Sequence, residues 1–448
     1  MTDELPRDQP IFSFYGDDFT GSTDSLDALA RNGVRSVLFL HPPSEAELKA
    51  FARCRAVGIA GESRSQSPQW MRGALPAVFE TLRQIGAPVV QYKVCSTFDS
   101  SPEVGSIGCA LEIGQDVLGV PFVPVVPAAP VLRRYLLFGN LFAAAGETVY
   151  RIDRHPTMRQ HPVTPMDEAD LRLHLARQTS RKVALMDLLA LAEPDARARL
   201  ERLLEERPDA VLFDGLDSAS LEKSAALIWE SRRTPQSFVV GSSGFTHAMM
   251  NYWRTRGWLD APGAGAAAAT PAHAADRIVV MSGSCSPATE RQIQHALRSG
   301  FSGIRLNAAQ LARTGSNGPY QEAVLSKALG QLSKGHSVIL YSALGPLESG
   351  QVHDRQALAS EMGKLLRALI ARSGVHRAVV AGGDTSSHAV RELEIAALTF
   401  LAPLAPGAPL CQAFAKGAQA SGLELVLKGG QVGSDKFFEE VLRGAGCP

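Results

Sequence analysis

The chain has 448 residues, 45% of them apolar and 20% charged, and its 45 Lys plus Arg balance its 45 Asp plus Glu. That length exceeds one ordinary core and predicts two to three domains, and the even charge leaves no basic field for nucleic acid or a membrane surface. Six scattered cysteines without a C-x-x-C pair support neither a zinc cluster nor a disulfide framework, and the first residues lack an apolar signal core, so a cytoplasmic protein is expected.

In chain order, the apolar run 11–14 reads as a buried strand and leads through Tyr15-Gly-Asp-Asp-Phe-Thr-Gly-Ser-Thr-Asp24 into a helix-spaced stretch. Two adjacent carboxylates, Asp17 and Asp18, with Thr20 beside them, therefore stand at a strand-to-helix turn. Ligands bind at such turns in open α/β sheets. The local alternative is that these residues only cap the helix. Runs 36–40, 56–60 and 89–93 read as strands, and 44–53 and 69–85 carry helical spacing. Prolines at 121, 124, 127 and 130 exclude a membrane helix from the longest apolar run and predict a strand followed by extended chain.

Lys93 closes a strand and opens Lys93-Val-Cys-Ser-Thr-Phe-Asp-Ser-Ser101. One cation among many hydroxyls suits a small, anionic, polyhydroxylated ligand. Cys95 there reads as a buried filler rather than a nucleophile. Arginines recur between 133 and 159, and His161-Pro-Val-Thr-Pro-Met166 follows them. Further strands are expected at 182–186, 210–213 and 237–240, the last followed by a glycine-rich turn at 241–245.

Residues 257–276, rich in Gly and Ala and nearly uncharged, read as a linker. Beyond it the alternation restarts, with strands expected at 278–281, 338–341, 378–381 and 423–427. The expected fold is α/β in two domains, 1–258 and 276–448, each a mostly parallel sheet flanked by helices, with an active-site cleft between them. Three strand ends in the second domain carry small residues: Met281-Ser-Gly-Ser-Cys-Ser-Pro-Ala-Thr289, Ala381-Gly-Gly-Asp-Thr-Ser-Ser387 (which precedes 388–400) and Lys428-Gly-Gly-Gln-Val-Gly-Ser434. Successive backbone amides at such turns bind anions, and three in one sheet point to a polyphosphate. Neither G-x-x-x-x-G-K-[ST] nor a G-x-G-x-x-G opening a βαβ unit is present.

These six stretches, in this order, resemble the four-carbon acid sugar kinases over nearly the whole chain. The resemblance implies an N-terminal domain for a sugar acid and a C-terminal domain for ATP, with transfer of a phosphoryl group to a hydroxyl of a 3-oxo-tetronate, a threonate or erythronate, or 3-oxo-isoapionate. With it, Asp17 or Asp18 is expected to orient and deprotonate the acceptor hydroxyl, and Thr20, Lys93, Ser96, Thr97, Asp99 and, from the arginine-bearing stretch, Arg154 to hold the sugar acid. The resemblance assigns Ser284, Gly382, Gly383, Asp384, Thr385, Gly430 and Gly433 to ATP, with Asp384 toward Mg²⁺. The expected partners are a small sugar acid and ATP, without nucleic acid or membrane, and a homodimer stays open. A non-catalytic sugar-acid sensor, or a dehydratase or aldolase using Lys93, are the rival readings. Three places depart from the family pattern: Tyr15, Gly16 and Ser22 around the aspartates, the stretch 131–135 where many members have Asn-Gly-Arg, and Gly429 with Val432 in the last motif. The first two fall in the sugar-acid domain and favour a branched substrate such as 3-oxo-isoapionate.

Overall fold

The computed structural model describes residues 4–7, 9–161, 163–260, 272–314, 318–345, 355–415 and 422–444. The linker reading of 257–276 thus lies largely outside the described residues. The chain divides into two compact units. The first takes Met1–Asp17, Ala28–Ser36 and Pro42–Ala266, and the second takes Asp18–Asp27, Val37–His41 and Ala267–Pro448.

The strands, in order, are β1 (Phe12–Gly16), β2 (Ser36–Phe39), β3 (Ala56–Ala60), β4 (Val89–Lys93), β5 (Val123–Val126), β6 (Arg134–Leu137), β7 (Asn140–Ala145), β8 (Thr148–Arg151), β9 (Val183–Met186), β10 (Ala210–Phe213) and β11 (Ser237–Gly241). There follow β12 (Val279–Ser282), β13 (Ser302–Arg305), β14 (Val338–Tyr341), β15 (Arg377–Ala381), β16 (Ile395–Ala405), β17 (Ala408–Ala415) and β18 (Glu424–Lys428).

In the first unit β3, β1, β4, β11, β5, β10 and β9 lie side by side, every neighbouring pair parallel. β1, β3, β4 and β10 are buried along their whole length, as expected of strands covered by helices on both faces. The covering helices carry local stop and start signals. In Pro68–Ile85, Ser67 accepts from the Trp70 amide, Pro68 occupies the first turn and Gly86 ends the helix at φ +78°. Phe79 from that helix packs edge-on against Tyr15, Tyr92 and Phe238, at centroid distances of 6.2, 6.0 and 5.2 Å, locking it over the sheet centre. The arginine-bearing stretch is more ordered than its sequence conveys. β6, β7 and β8 form a three-stranded antiparallel sheet.

In the second unit β13, β14, β12, β15 and β18 are parallel neighbours. An antiparallel hairpin, β16 and β17, extends that sheet from β18, and β2 pairs antiparallel with β16. The stretch 388–400 splits: the helix Gly383–Glu392 ends, Glu394 takes φ +54°, and β16 begins at Ile395. Pairing with β16, together with an Asp27 carboxylate accepting from the Gly407 amide at 3.4 Å, explains why two short N-terminal pieces cluster with the second unit.

Candidate active site

The first unit gathers its polar residues at the carboxyl ends of β3, β1 and β4. The register sets Gly16 beside Ala60 on one side and Lys93 on the other. The Asp17 amide donates to the Lys93 carbonyl at 3.0 Å, and the Arg64 amide to the Asp17 carbonyl at 3.0 Å. Three loops are thereby stitched together by backbone bonds before any side chain acts. Arg64 then grips Asp17 with a fork: Nε to Oδ2 at 3.1 Å and Nη2 to Oδ1 at 2.6 Å. Both carboxylate oxygens of a buried aspartate are thus held by a partly buried guanidinium.

Lys93, Ser96, Thr97 and Asp99 are all buried. The Thr97 hydroxyl donates to Asp99 Oδ1 and lies 2.9 Å from Cys95 Sγ. Burial raises the Asp99 pKa, but the Arg64 charge, the Thr97 bond and His161 outweigh it and hold the carboxyl below its ordinary value. Asp99 is therefore an anion at neutral pH, under the influence of the Arg64 guanidinium. Arg154 is exposed, ends the short turn Ile152–Arg154, and exerts its charge on neighbouring Asp153. The structure does not bring it into the hydrogen-bonded set around Lys93. Arg64 stands there instead, and sequence reasoning passed over it. The usable signal was its setting: Gly61-Glu-Ser-Arg64 follows a buried strand, as the double aspartate does.

Tyr15 explains its own presence. It is buried, stacks on Tyr92 at 5.9 Å, and fills the space that a Cβ at Gly61 would need. Burial pushes its hydroxyl up to about 12. Ser63, next to Arg64, bonds the Tyr92 hydroxyl at 2.9 Å. The two rings thus form the floor on which the Arg64 loop rests.

Asp18, counted with the second unit, is indeed the helix cap that local reasoning allowed. Its Oδ1 accepts from the Gly21 amide at 2.7 Å, and its Oδ2 from the Thr20 hydroxyl at 2.7 Å. Ser22 Oγ donates to the Asp18 carbonyl at 2.6 Å. A second observation goes beyond capping: a Cβ at Gly383 would stand 3.8 Å from Asp18 Oδ2. The carboxylate thus lies beside the first turn of the helix Gly383–Glu392.

Three small-residue turns do lie at adjacent strand ends. Ser282 of β12 pairs with Ala381 of β15, which pairs with Lys428 of β18. The Gly283 amide donates to the Ala381 carbonyl at 3.1 Å, and the Gly382 amide to the Lys428 carbonyl at 2.9 Å. Gly382 sits at φ +118°, where an L side chain would be strained, so glycine is required for the turn into the helix. A Cβ at Gly430 would come within 3.0 Å of both Ser284 Oγ and Ser286 Cβ. Gly433 adopts φ +88°, and Gln292 Nε2 donates to the carbonyls of Val432, Gly433 and Ser434. Asp384 and Thr385 fall in the first turn of the helix Gly383–Glu392, and their side chains lie outside the described residues. Among the described residues no cluster of three His, Cys, Asp or Glu is arranged for a metal, and no helix is long and apolar enough to cross a membrane.

Charged, hydroxyl-bearing strand ends in one unit and small-residue strand-end turns in the other are compatible with a small-molecule phosphotransferase. The comparisons agree on the class. A sugar-binding N-terminal domain model matches residues 12–249, and a nucleotide-binding C-terminal domain model matches 279–438. The chain belongs to the four-carbon acid sugar kinase family and is a sugar-acid kinase. It is 44% identical to a 3-oxo-isoapionate kinase of Paraburkholderia graminis, over 97% of this chain and 94% of that one. It is 32% identical to a 3-oxo-tetronate kinase of Cupriavidus necator over the full length of both. A solved structure from Salmonella typhimurium LT2 superposes with a TM-score of 0.76 at 26% identity, covering 96% of this chain and 98% of that chain.

Proposed function

We propose that this chain is an ATP-dependent kinase that phosphorylates a hydroxyl of a branched 3-oxo sugar acid, of the 3-oxo-isoapionate class. The observation that carries the substrate is the contrast between 44% identity to the isoapionate kinase and 32% to the tetronate kinase. The reaction belongs in the cytoplasm, where ATP is supplied.

Phosphoryl transfer asks mainly for positioning and charge stabilisation. Lys93 and Arg64 supply cations for the substrate carboxylate, and Ser96, Thr97 and Asp99 supply partners for its hydroxyls. Asp17, with both oxygens engaged by Arg64, acts as the anchor of that guanidinium. Asp18 is the orienting carboxylate, because it lies beside the Gly383 turn. It takes the proton of the acceptor hydroxyl as that oxygen forms its bond to the γ-phosphorus. The bond from phosphorus to the β–γ bridging oxygen breaks, and ADP leaves.

The ATP phosphates are assigned to the amides around Ser284, Gly382, Gly383 and Gly430, where glycine at 430 lets its turn close on Ser284 and Ser286. Gly433 shapes that loop, and Asp384 and Thr385 stand in the adjoining helical turn. Mg²⁺ takes hard oxygen donors; Asp384 is the carboxylate that would hold it, where it would neutralise phosphate charge. Asp384→Ala is expected to weaken Mg²⁺-dependent ATP binding in calorimetry.

The direct test is an ADP-release assay over 3-oxo-isoapionate, 3-oxo-tetronates, D-threonate and D-erythronate. The highest kcat/KM is expected for 3-oxo-isoapionate. A clear preference for a linear acid would overturn the substrate, and ATP consumption with none of them would overturn the reaction.

A further inference from the structure

Lys428, the last residue of β18, is fully buried. Its Nζ donates to Thr289 Oγ1 at 3.0 Å, to the Gly429 carbonyl at 2.9 Å and to the Gly430 carbonyl at 3.2 Å. An ammonium has three protons, so these bonds use its whole donor capacity, each on a neutral oxygen. The Thr289 hydroxyl in turn donates to the Gly430 carbonyl at 2.9 Å, closing a ring of bonds around the turn. The face of Phe437 lies 5.9 Å from Nζ and adds a weak cation–π attraction. Burial pushes the lysine down to about 7. Holding such a charge inside the fold is costly unless it serves something.

Peptide geometry says what it serves. The chain has no cis peptide bonds among the described residues. In a trans peptide the carbonyl and the following N–H point to opposite sides. With the Gly429 and Gly430 carbonyls turned onto the ammonium, the amides of Gly430 and Gln431 are turned away from it. At Gly430 the turn also closes on the Ser284–Ser286 segment, where a Cβ would stand 3.0 Å from Ser284 Oγ and from Ser286 Cβ. The protonated lysine thus stands behind two peptides whose partial positive ends face away from it.

We propose that Lys428 is a positioning residue for phosphate binding: it sets the amides of Gly430 and Gln431 toward the nucleotide phosphates and places a cation behind them. It acts through the backbone and touches no reacting atom. This rests on the reading of these turns as the ATP site.

The test is calorimetric titration of ATP and of adenosine into wild type, Lys428→Met, Thr289→Val and Thr289→Ser, with KM measured for both substrates. Methionine keeps the length of the side chain and removes the charge and its bonds. In Lys428→Met, Kd and KM for ATP are expected to rise by about tenfold or more, the usual weight of hydrogen bonds to a charged group. Adenosine affinity and KM for the sugar acid are expected to stay at wild-type values. Thr289→Val should weaken ATP by about threefold, one neutral hydrogen bond, and Thr289→Ser should restore it. If wild type binds no ATP, the ATP site reading fails and takes this inference with it. If wild type binds ATP and Lys428→Met binds it equally well, or loses adenosine and ATP alike, the positioning role is overturned while the ATP site stands. Should Lys428→Met not fold, the threonine pair decides: equal ATP affinity in Val and Ser variants overturns the role.

Discussion

The polar turns of the first unit and those of the second solve recognition in opposite ways. Both lie at the carboxyl ends of adjacent parallel strands. In the first, charged side chains hold one another: Asp17 in the Arg64 fork, Asp99 under Arg64 and His161, and Lys93 closing the next strand. In the second, small residues (Ser284, Gly382, Gly383 and Gly430) form the turns at the strand ends, with one lysine buried among them. Directed side chains discriminate among small acids that differ in the placement of a hydroxyl or a branch. Backbone amides read what every nucleotide triphosphate shares. On the proposed reading, the difference assigns substrate choice to the first unit's side chains and leaves geometry to the second unit.

Asp18 stands where the two designs meet in sequence, and its loss is expected to cost the most. Asp18→Asn should lower kcat by roughly 10²–10⁴, the range of a positioned acid or base, with ATP affinity retained in calorimetry. Turnover near wild type would leave Asp18 as a cap alone. Next comes the charged design. Arg64→Met strands the buried Asp17 carboxylate at a cost of about 2 kcal/mol, discounted for the partial exposure of the arginine. Steady-state kinetics should show KM for the sugar acid raised on the order of 30-fold and KM for ATP little changed. An equal rise in both would erase the division of labour.

The backbone design is probed by a pair of glycines. Gly430→Ala forces a Cβ against Ser284 and Ser286, and ATP affinity should fall about tenfold. Gly429→Ala meets its nearest neighbour, Val432 Cγ2, at an ordinary 3.5 Å and should bind ATP normally. Similar losses in both variants would mean that the cradle is not what binds.

The smallest effect concerns stability of the first unit. His174 is buried, bonds Ser100 Oγ at 2.8 Å and Gln178 at 3.0 Å, and so secures the end of the Lys93 loop. Burial and then Arg177 lower its pKa from 6.5 to about 4, against the opposing pull of Asp167, Asp99 and Glu168. The fold therefore keeps the neutral ring while the unfolded chain takes up a proton below 6.5. Its stabilising contribution is complete above 6.5 and is lost as pH falls toward 4. At about pH 5.5 the loss is on the order of 1 kcal/mol. His174→Gln should flatten this part of the pH dependence of thermal unfolding, and an unchanged slope would assign it to other groups.

Much of this was open to reading in the primary structure, for identifiable reasons. Parallel strands covered on both faces are continuous apolar runs, so β1, β3, β4, β10, β14 and β15 announce themselves. Strand-end turns need small residues, so Ser284, Gly382 and Gly430 stand out beside them. Lys93, Thr97 and Asp99 were legible because they crowd one loop. Arg64 was not, because an isolated arginine after a strand looks like any solvated charge until the register of β1 and β3 brings it to Asp17. The antiparallel β6–β8 sheet was hidden by short strands with mixed burial, which lack a strong period.

The double aspartate marks the limit most sharply. Local sequence determined that Asp17 and Asp18 would stand at a strand-to-helix turn, and that one of them would cap the helix, because strand burial and capping are decided within a few residues. Which aspartate does what was decided by tertiary structure alone. Arg64 arrives from 47 positions along the chain to claim both oxygens of Asp17, and Gly383 arrives from the far end of the sequence to lie beside Asp18. The same holds for Lys428, an ordinary strand-end lysine in sequence. Only burial among the carbonyls of its own turn makes it the organiser of that turn.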